Sequence, residues 1–210
     1  MKAIILAGSD LRLTPHLRGE LAGADFVVAA DSGLRHAPPL GLVPDLIVGD
    51  FDSLDEETLA PFLHVAKEAH PVAKDALDLE LALEHALAAG ATELYLLGTL
   101  GGRFDQSLAA LFIGARYVLK GCRVSLYGSD QAVHVLSGSS ERHFALPSGQ
   151  LFSLLSLGET AQISLKGAQF PLEHHPLPFG VGLGVSNRVD EPPLKIDLHE
   201  GLVALIIEYD

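Results

Sequence analysis

The 210-residue chain has one cysteine, one methionine and no tryptophan. With Cys122 alone, no disulfide can form within the chain, so the fold must rest on its apolar core, and this usage fits a reducing compartment. Basic residues are also scarce. Fourteen Lys and Arg stand against 27 Asp and Glu, a formal net charge of −13. A field of that sign repels nucleic acid and anionic membranes, which argues against both as partners. Long apolar runs are missing too. The opening MKAIILAGSD is apolar only from Ala3 to Ala7, too short for a signal peptide, and no later run could span a bilayer. The expectation is a soluble, cytoplasmic protein whose first segment is a buried strand. The common nucleotide fingerprints are absent: no G-x-x-x-x-G-K-[ST] occurs, and Gly8–Asp10 lacks a G-x-G-x-x-G. The ten histidines show no H-E-x-x-H or similar zinc spacing, and His174-His175 falls in EHHPLPFG, which reads as a Pro-rich loop.

Apolar residues, by contrast, are plentiful. They make up 48% of the chain, enough for a sizeable core in one or two domains. Near-continuous apolar runs at Lys2–Ala7, Phe26–Ala30, Leu46–Val48, Leu94–Leu97 and Val124–Tyr127 predict strands buried on both faces. Two helices are predicted between them. One opens near Asp75, faces Leu79, Ala82, Leu83, Ala86 and Leu87 inward, and closes at Gly90. The other is capped by Asp105, buries Leu108, Leu111, Phe112 and Ala115, and ends near Gly121. This alternation argues for an α/β fold with a mostly parallel sheet and helices on both faces. After about Ser129 the pattern changes to short strand-like segments at Ala132–Leu136, Leu151–Leu155, Gln162–Leu165, Gly184–Val189, Leu194–Leu198 and Leu202–Tyr209. Turn signals such as SGSS, PSG and DEPP separate them, predicting an antiparallel β-sandwich. The division expected is 1–130 and 131–210.

Polar residues cluster where such a sheet binds ligands, outside the carboxyl ends of its strands. One strand runs into Asp31-Ser32-Gly33, another into Gly49-Asp50-Phe51-Asp52, a third into GTLGGRFDQ. Lys74, Asp75 and Asp78 surround a helix start on the same expected rim. Crowded carboxylates repel one another unless protonated or paired with a cation, and hard oxygen donors suit Mg²⁺ with substrate phosphates. Alternation along an extended chain would turn Phe51 inward and both neighbours outward. The competing reading is that Asp50 and Asp52 only cap a following helix, DEETL. In LGTLGGRFDQSLAAL, Gly101-Gly102 allows a tight turn, Arg103 offers a fork suited to phosphate, and a helix N-terminus follows.

In order, AADSGLRH, LIVGDFDSL, KDALDLELAL and LGTLGGRFDQSLAAL resemble the thiamine pyrophosphokinases (thiamine diphosphokinases), and GAQFPL, LGVSN and EGLVALI resemble that family's C-terminal domain. The resemblance covers roughly residues 3–208. It implies a nucleotide-binding α/β catalytic domain (1–130), a thiamine-binding β-sandwich (131–210) and a homodimer with thiamine between the α/β domain of one subunit and the β domain of the other. The implied reaction moves a pyrophosphoryl group from ATP to the thiamine hydroxyl, releasing AMP. The resemblance implies Asp50, Asp52 and Asp78 as Mg²⁺ ligands and, with Asp105, as catalytic residues. It implies Asp31, Ser32, Gly33, Lys74, Arg103, Asp105 and Gln106 around ATP or the alcohol, and Ser186 with Asn187 beside thiamine. The chain departs from the family pattern at Leu77, where threonine is usual, at Arg188, where an acidic residue often stands, and in having no tryptophan to stack on thiamine. Two alternatives stand beside this reading: a pyrophosphokinase of the same build acting on another alcohol, such as a hydroxymethyl pterin, and a non-catalytic nucleotide-binding module.

Overall fold

The computed structural model describes residues 1–52, 54–70 and 77–209. They pack as two compact units: residues 1–117 with 121–129, and residues 130 onward with 118–120.

In chain order the first unit contains β1 (Lys2–Leu6), α1 (Pro15–Leu21), β2 (Phe26–Ala30), a 3₁₀ turn (Asp31–His36), α2 (Ala37–Leu40), β3 (Leu46–Gly49), α3 (Glu56–Leu59), β4 (Ala66–Ala69), α4 (Asp78–Ala88), β5 (Glu93–Leu97), α5 (Phe104–Leu119) and β6 (Arg123–Tyr127). The six strands pair in parallel, in the order β6-β5-β1-β2-β3-β4. Their apolar runs are buried as parallel strands require: Ala3–Leu6, Val28, Ala29, Ile47, Val48, Leu94, Leu96 and Leu97 are fully enclosed. The order reverses at β1, which has β2 on one side and β5 on the other, so a switch point lies between β1 and β5.

Helix α4 packs over β1, β2 and β3 and buries Ala82, Leu83 and Ala86, as its spacing predicts. It begins at Asp78, with Glu80 reaching back to the Leu77 amide at 3.2 Å. Asp75, predicted to open it, lies outside the described residues, as does Lys74. Helix α5 departs from its predicted face. It buries Ala110, Gly114, Ala115 and Tyr117, while Leu108 and Phe112 are exposed. A Cβ on Gly114 would stand 3.1 Å from a methyl of Val124, so the glycine lets this turn of the helix come close to the sheet.

The second unit contains β7 (Gln131–Ser137), β8 (Ser140–Phe144), β9 (Leu151–Ser156), β10 (Thr160–Lys166), β11 (Leu172–Pro178), β12 (Asn187–Arg188), β13 (Leu194–Glu200) and β14 (Leu202–Glu208). They form two antiparallel layers, β12-β9-β14-β7 and β11-β10-β13-β8. Leu136, Phe152, Leu154, Ile163, Leu165, Leu177, Ile196, Leu198, Val203, Leu205 and Ile207 meet in one core. This matches the expected antiparallel sheets, with three corrections. EHHPLPFG is not a loop, since its first residues lie in β11. The SGSS stretch is only partly a turn, because Ser140 opens β8. The strand expected over Gly184–Val189 shrinks to Asn187–Arg188, because Ser186 takes a left-handed backbone (φ 59°) that ends the extended run.

His134 on β7 packs against Phe144 of β8, with ring centroids 5.2 Å apart and the ring planes tilted by 45°. Burial, with a smaller contribution from the Arg142 charge, lowers the imidazole pKa to about 4. The unfolded chain takes up a proton near pH 6.5, whereas the folded one does so only near 4. Stability in the second unit therefore falls as pH drops from about 6.5 to 4 and levels off below, by about 3 kcal/mol. Urea midpoints across that pH range check this, and His134→Gln should flatten the slope.

Candidate active site

The acidic cluster is assembled by strand ends. Asp31 follows β2, and Asp50 follows β3. They come together because Gly49 has no side chain: a Cβ there would stand 3.0 Å from the Cβ of Asp31. Asp52 reaches the same place by a different route from the one predicted. Residues 50–52 are not extended. Phe51 adopts φ 63°, and the Asp52 amide donates to Asp50 Oδ1 at 3.1 Å, closing a turn that presents both carboxylates together. One carboxylate oxygen from each of Asp31, Asp50 and Asp52 lies within 4.8 Å of the other two. Hydrogen bonding with Asp50, then the charge of Asp50, raises the Asp52 carboxyl above the ordinary range; Asp31 and Asp78 add to the effect. Capping does not explain the pair, because the helix of DEETL is capped by Asp55, whose carboxylate accepts from the Thr58 amide at 2.7 Å.

Beside the cluster is a cavity of about 210 Å³ at the switch point. It is lined from the ends of β1 (Gly8, Ser9), β2 (Asp31, Ser32) and β5 (Gly98, Thr99), from the start of α4 (Leu77, Asp78), and from α5 (Gln106). Asp31, Ser32, Asp78 and Gln106 are thus brought to one cavity, as their strand-end and helix-start positions predict. Gly33 is not part of its wall. It is buried, and a Cβ there would lie 2.1 Å from the Leu6 carbonyl oxygen.

Gly101 and Gly102 have φ 92° and 67° and form the turn into α5. The helix starts at Phe104, so Asp105 sits in the first turn instead of at the cap. Its carboxylate takes the Arg103 guanidinium in a two-pronged contact, Nε to Oδ1 at 3.1 Å and Nη2 to Oδ2 at 2.6 Å. That contact holds the Asp105 carboxyl below the usual range and the Arg103 guanidinium above its own.

Two positioning residues escaped the sequence reading. Arg35 Nη2 donates to the Gly8 carbonyl at 2.5 Å, and buried His36 bonds the Ser9 carbonyl through Nε2 at 2.8 Å. Together they hold the β1 end that forms one cavity wall. Both stand within the SGLRH stretch already singled out, but nothing in their spacing reveals a backbone partner 27 residues away.

Ser186 and Asn187 lie in the second unit. Asn187 is buried, and its side chain is engaged with backbone: Oδ1 accepts from the Phe170 and Arg188 amides at 3.1 and 2.8 Å, and Nδ2 donates to the Phe170 carbonyl at 2.9 Å. It is a stitch fixing the neighbourhood of Ser186 and Phe170. The Ser186 amide is itself tied to Ser153 Oγ at 3.1 Å.

Comparison with known proteins bears on both units. The catalytic domain of thiamin pyrophosphokinase matches residues 17–126, and the vitamin B1 binding domain of thiamin pyrophosphokinase matches residues 134–203. The thiamine pyrophosphokinase of Bacillus subtilis is 26% identical over 218 aligned residues, covering all of both chains. The crystal structure of the B. subtilis protein matches with a TM-score of 0.88 at 22% identity over the whole of both chains. The Geobacillus thermodenitrificans structure gives 0.83 at 24%, covering all of this chain and 98% of the other. Thiamin pyrophosphokinase from Candida albicans gives 0.78 at 13%, covering 99% and 90%. At these identities the structural likenesses establish the fold. The two domain matches, which between them span most of the sequence, establish more: the chain belongs to the thiamin pyrophosphokinase family.

Proposed function

We propose that this chain transfers a pyrophosphoryl group from ATP to the hydroxyl of thiamine, giving thiamine diphosphate and AMP. The observation that carries this reading is the convergence of Asp31, Asp50 and Asp52 within 4.8 Å, next to a cavity at the switch point of a family-matched catalytic unit. The family match does not favour a pterin alcohol as acceptor, nor a non-catalytic module. In an assay for AMP release, thiamine should support turnover and hydroxymethyl pterins should not. Turnover with the pterin alone would overturn the acceptor, and tight ATP binding without AMP would overturn catalysis.

The donor set fits Mg²⁺. It is all hard carboxylate oxygen, and its mutual repulsion, expressed in the raised Asp52 carboxyl, is what a divalent ion relieves. Asp50 and Asp52 would hold the ion, completed by Asp31 or Asp78, and when bound it supplies charge neutralisation for the ATP phosphates. The remaining work falls to positioned side chains, since phosphoryl transfer asks for orientation and electrostatics more than covalent chemistry. Ser32 and Gln106 offer hydrogen bonds from two cavity walls. Arg103 exchanges its Asp105 partner for phosphate oxygens on the transferred group or on departing AMP. Lys74 is proposed for the same task from the sequence alone. Asp78, where Asp31 completes the metal site, or Asp105, once Arg103 has turned to the phosphates, would receive the alcohol proton. Arg103→Lys keeps the charge and loses the fork, so kcat/KM should fall by about 10-fold or more. An unchanged value would remove Arg103 from the site.

In the second unit, Ser186 would border thiamine, and Asn187 would act by holding that segment in place. The exposed residues Phe104, Leu108 and Phe112 recur at every fourth position of α5, and Phe179, Val181, Leu183 and Val185 are exposed as well. Such surfaces support a homodimer. No helix among the described residues is long and apolar enough to cross a membrane. With a single cysteine, the cytoplasm is the compartment we assign.

A further inference from the structure

A second group of metal-binding side chains lies apart from the carboxylate cluster. Edge strand β4 carries Glu68, His70 follows directly after the strand, and α4 brings His85 against them. Glu68 and His70 are two residues apart, so an extended backbone puts both side chains on one face. His70 Nε2 is 3.1 Å from Glu68 Oε1, and His85 Nε2 is 3.1 Å from Glu68 Oε2. One ligand atom from each of the three can be chosen so that all lie within 4.8 Å.

Two histidine–glutamate ion pairs are the simpler account of this group. They leave one feature unexplained. His70 Nε2 is buried and has no hydrogen-bond partner among the described residues, although a carboxylate oxygen is 3.1 Å away. The nitrogen is therefore close to the oxygen without being aimed at it. Groups that share a metal stand in this relation, because their lone pairs point to a common centre and not to each other. Donors about 2.0–2.1 Å from a tetrahedral centre stand about 3.3 Å apart, and each histidine nitrogen is 3.1 Å from one of the two Glu68 oxygens. Side-chain exposures of 45% for Glu68, 23% for His70 and 30% for His85 leave a way in for an ion.

We propose that Glu68, His70 and His85 form a binding site for a transition-metal ion of the Zn²⁺ class, distinct from the all-oxygen site proposed for Mg²⁺. Two imidazoles and one carboxylate suit Zn²⁺, Co²⁺ or Ni²⁺ and suit Mg²⁺ poorly, whereas Asp31, Asp50 and Asp52 have the opposite preference. The place gives the ion a purpose. The His70 amide donates to the Gly49 carbonyl at 2.9 Å, one residue before Asp50, and α4 opens with Asp78. An ion here ties the edge strand to the helix that presents Asp78 to the cavity.

The test is titration of chelator-treated protein with Zn²⁺ by calorimetry and with Co²⁺ by visible absorption, both in excess Mg²⁺. The expected result is one equivalent of either ion, with the strong ligand-field bands of four-coordinate Co²⁺. His70→Gln and His85→Gln, which lie on different elements, should each weaken binding by more than the roughly 10–100-fold cost of losing an outer-shell partner. Asp52→Asn should bind as wild type does. Zn²⁺ should raise the melting temperature of wild type and of Asp52→Asn but not of His85→Gln. The proposal fails if wild type takes up no ion at micromolar Zn²⁺. It also fails if both histidine variants titrate unchanged, or if Asp52→Asn abolishes binding.

Discussion

Asp52→Asn should lower kcat/KM for ATP by about 100-fold or more and, without added metal, should leave the folded protein more heat-stable than wild type. The two effects have one cause. Asp52 faces Asp50 and Asp31 with one oxygen of each gathered within 4.8 Å, and Asp78 adds its charge from the start of α4. The raised carboxyl means that the folded state resists ionisation of Asp52 more than the unfolded chain does. Holding this group ionised at neutral pH therefore costs stability, and a neutral amide of the same shape removes that cost. The same amide cannot supply the charge that holds Mg²⁺. Mg²⁺ should thus raise the melting temperature of wild type and have little effect on the variant. Activity near wild type in Asp52→Asn would remove the metal site. A fall in melting temperature without metal would show that the cluster is not repulsive. Measuring both separates a damaged fold from a damaged site.

Gly33→Ala is the stability counterpart, with an expected loss on the order of 3–5 kcal/mol, a large part of what a typical domain possesses. A Cβ at this position would meet the Leu6 carbonyl oxygen at 2.1 Å, its carbon at 2.5 Å and the Ala7 nitrogen at 2.8 Å. All three are backbone atoms of a strand end paired on both sides, so no side chain can swing aside to make room. Relief requires moving the 3₁₀ turn that carries Asp31 and Ser32 away from β1, which would open the cavity as well. Gly101→Ala is the contrast. That glycine has φ 92° but open space around it, so the strain should be about 1–2 kcal/mol. Urea unfolding of the two variants checks the ranking. Equal, small losses would show that Gly33 is not held against β1.

The fate of Gly33 also shows how far a motif can be read. In DSG, the sequence reading assigns all three residues to ligand binding. Asp31 and Ser32 do reach the cavity, but the glycine is there so that the turn can touch β1. Asn187 is similar: a polar residue beside an expected pocket whose hydrogen-bonding groups are turned to the Phe170 and Arg188 backbone. A sequence records which residue is required at a position. It does not record whether a ligand or the chain itself requires it.

The strands show a parallel limit. Every buried strand of the first unit is legible, because enclosure on both faces demands unbroken apolar residues. The strands that escaped notice are β4, β8 and β11, and each ends its sheet. AKEA, SERHF and LEHHPLP carry charges, histidines and prolines, which an edge tolerates because its outer side has no partner to satisfy and its faces are partly exposed. The same edge position leaves Glu68 and His70 in reach of His85, a group with no sequence spacing to betray it.

The sequence by itself determined the alternation of elements, the change of architecture after residue 129, and the placing of acidic residues at strand ends, because burial and turn chemistry are properties of neighbouring residues. Only the tertiary structure decided which carboxylates meet, which face of α5 is buried, and which glycine is a packing surface. Those outcomes depend on distances between segments far apart in the chain, and a linear pattern holds no term for them.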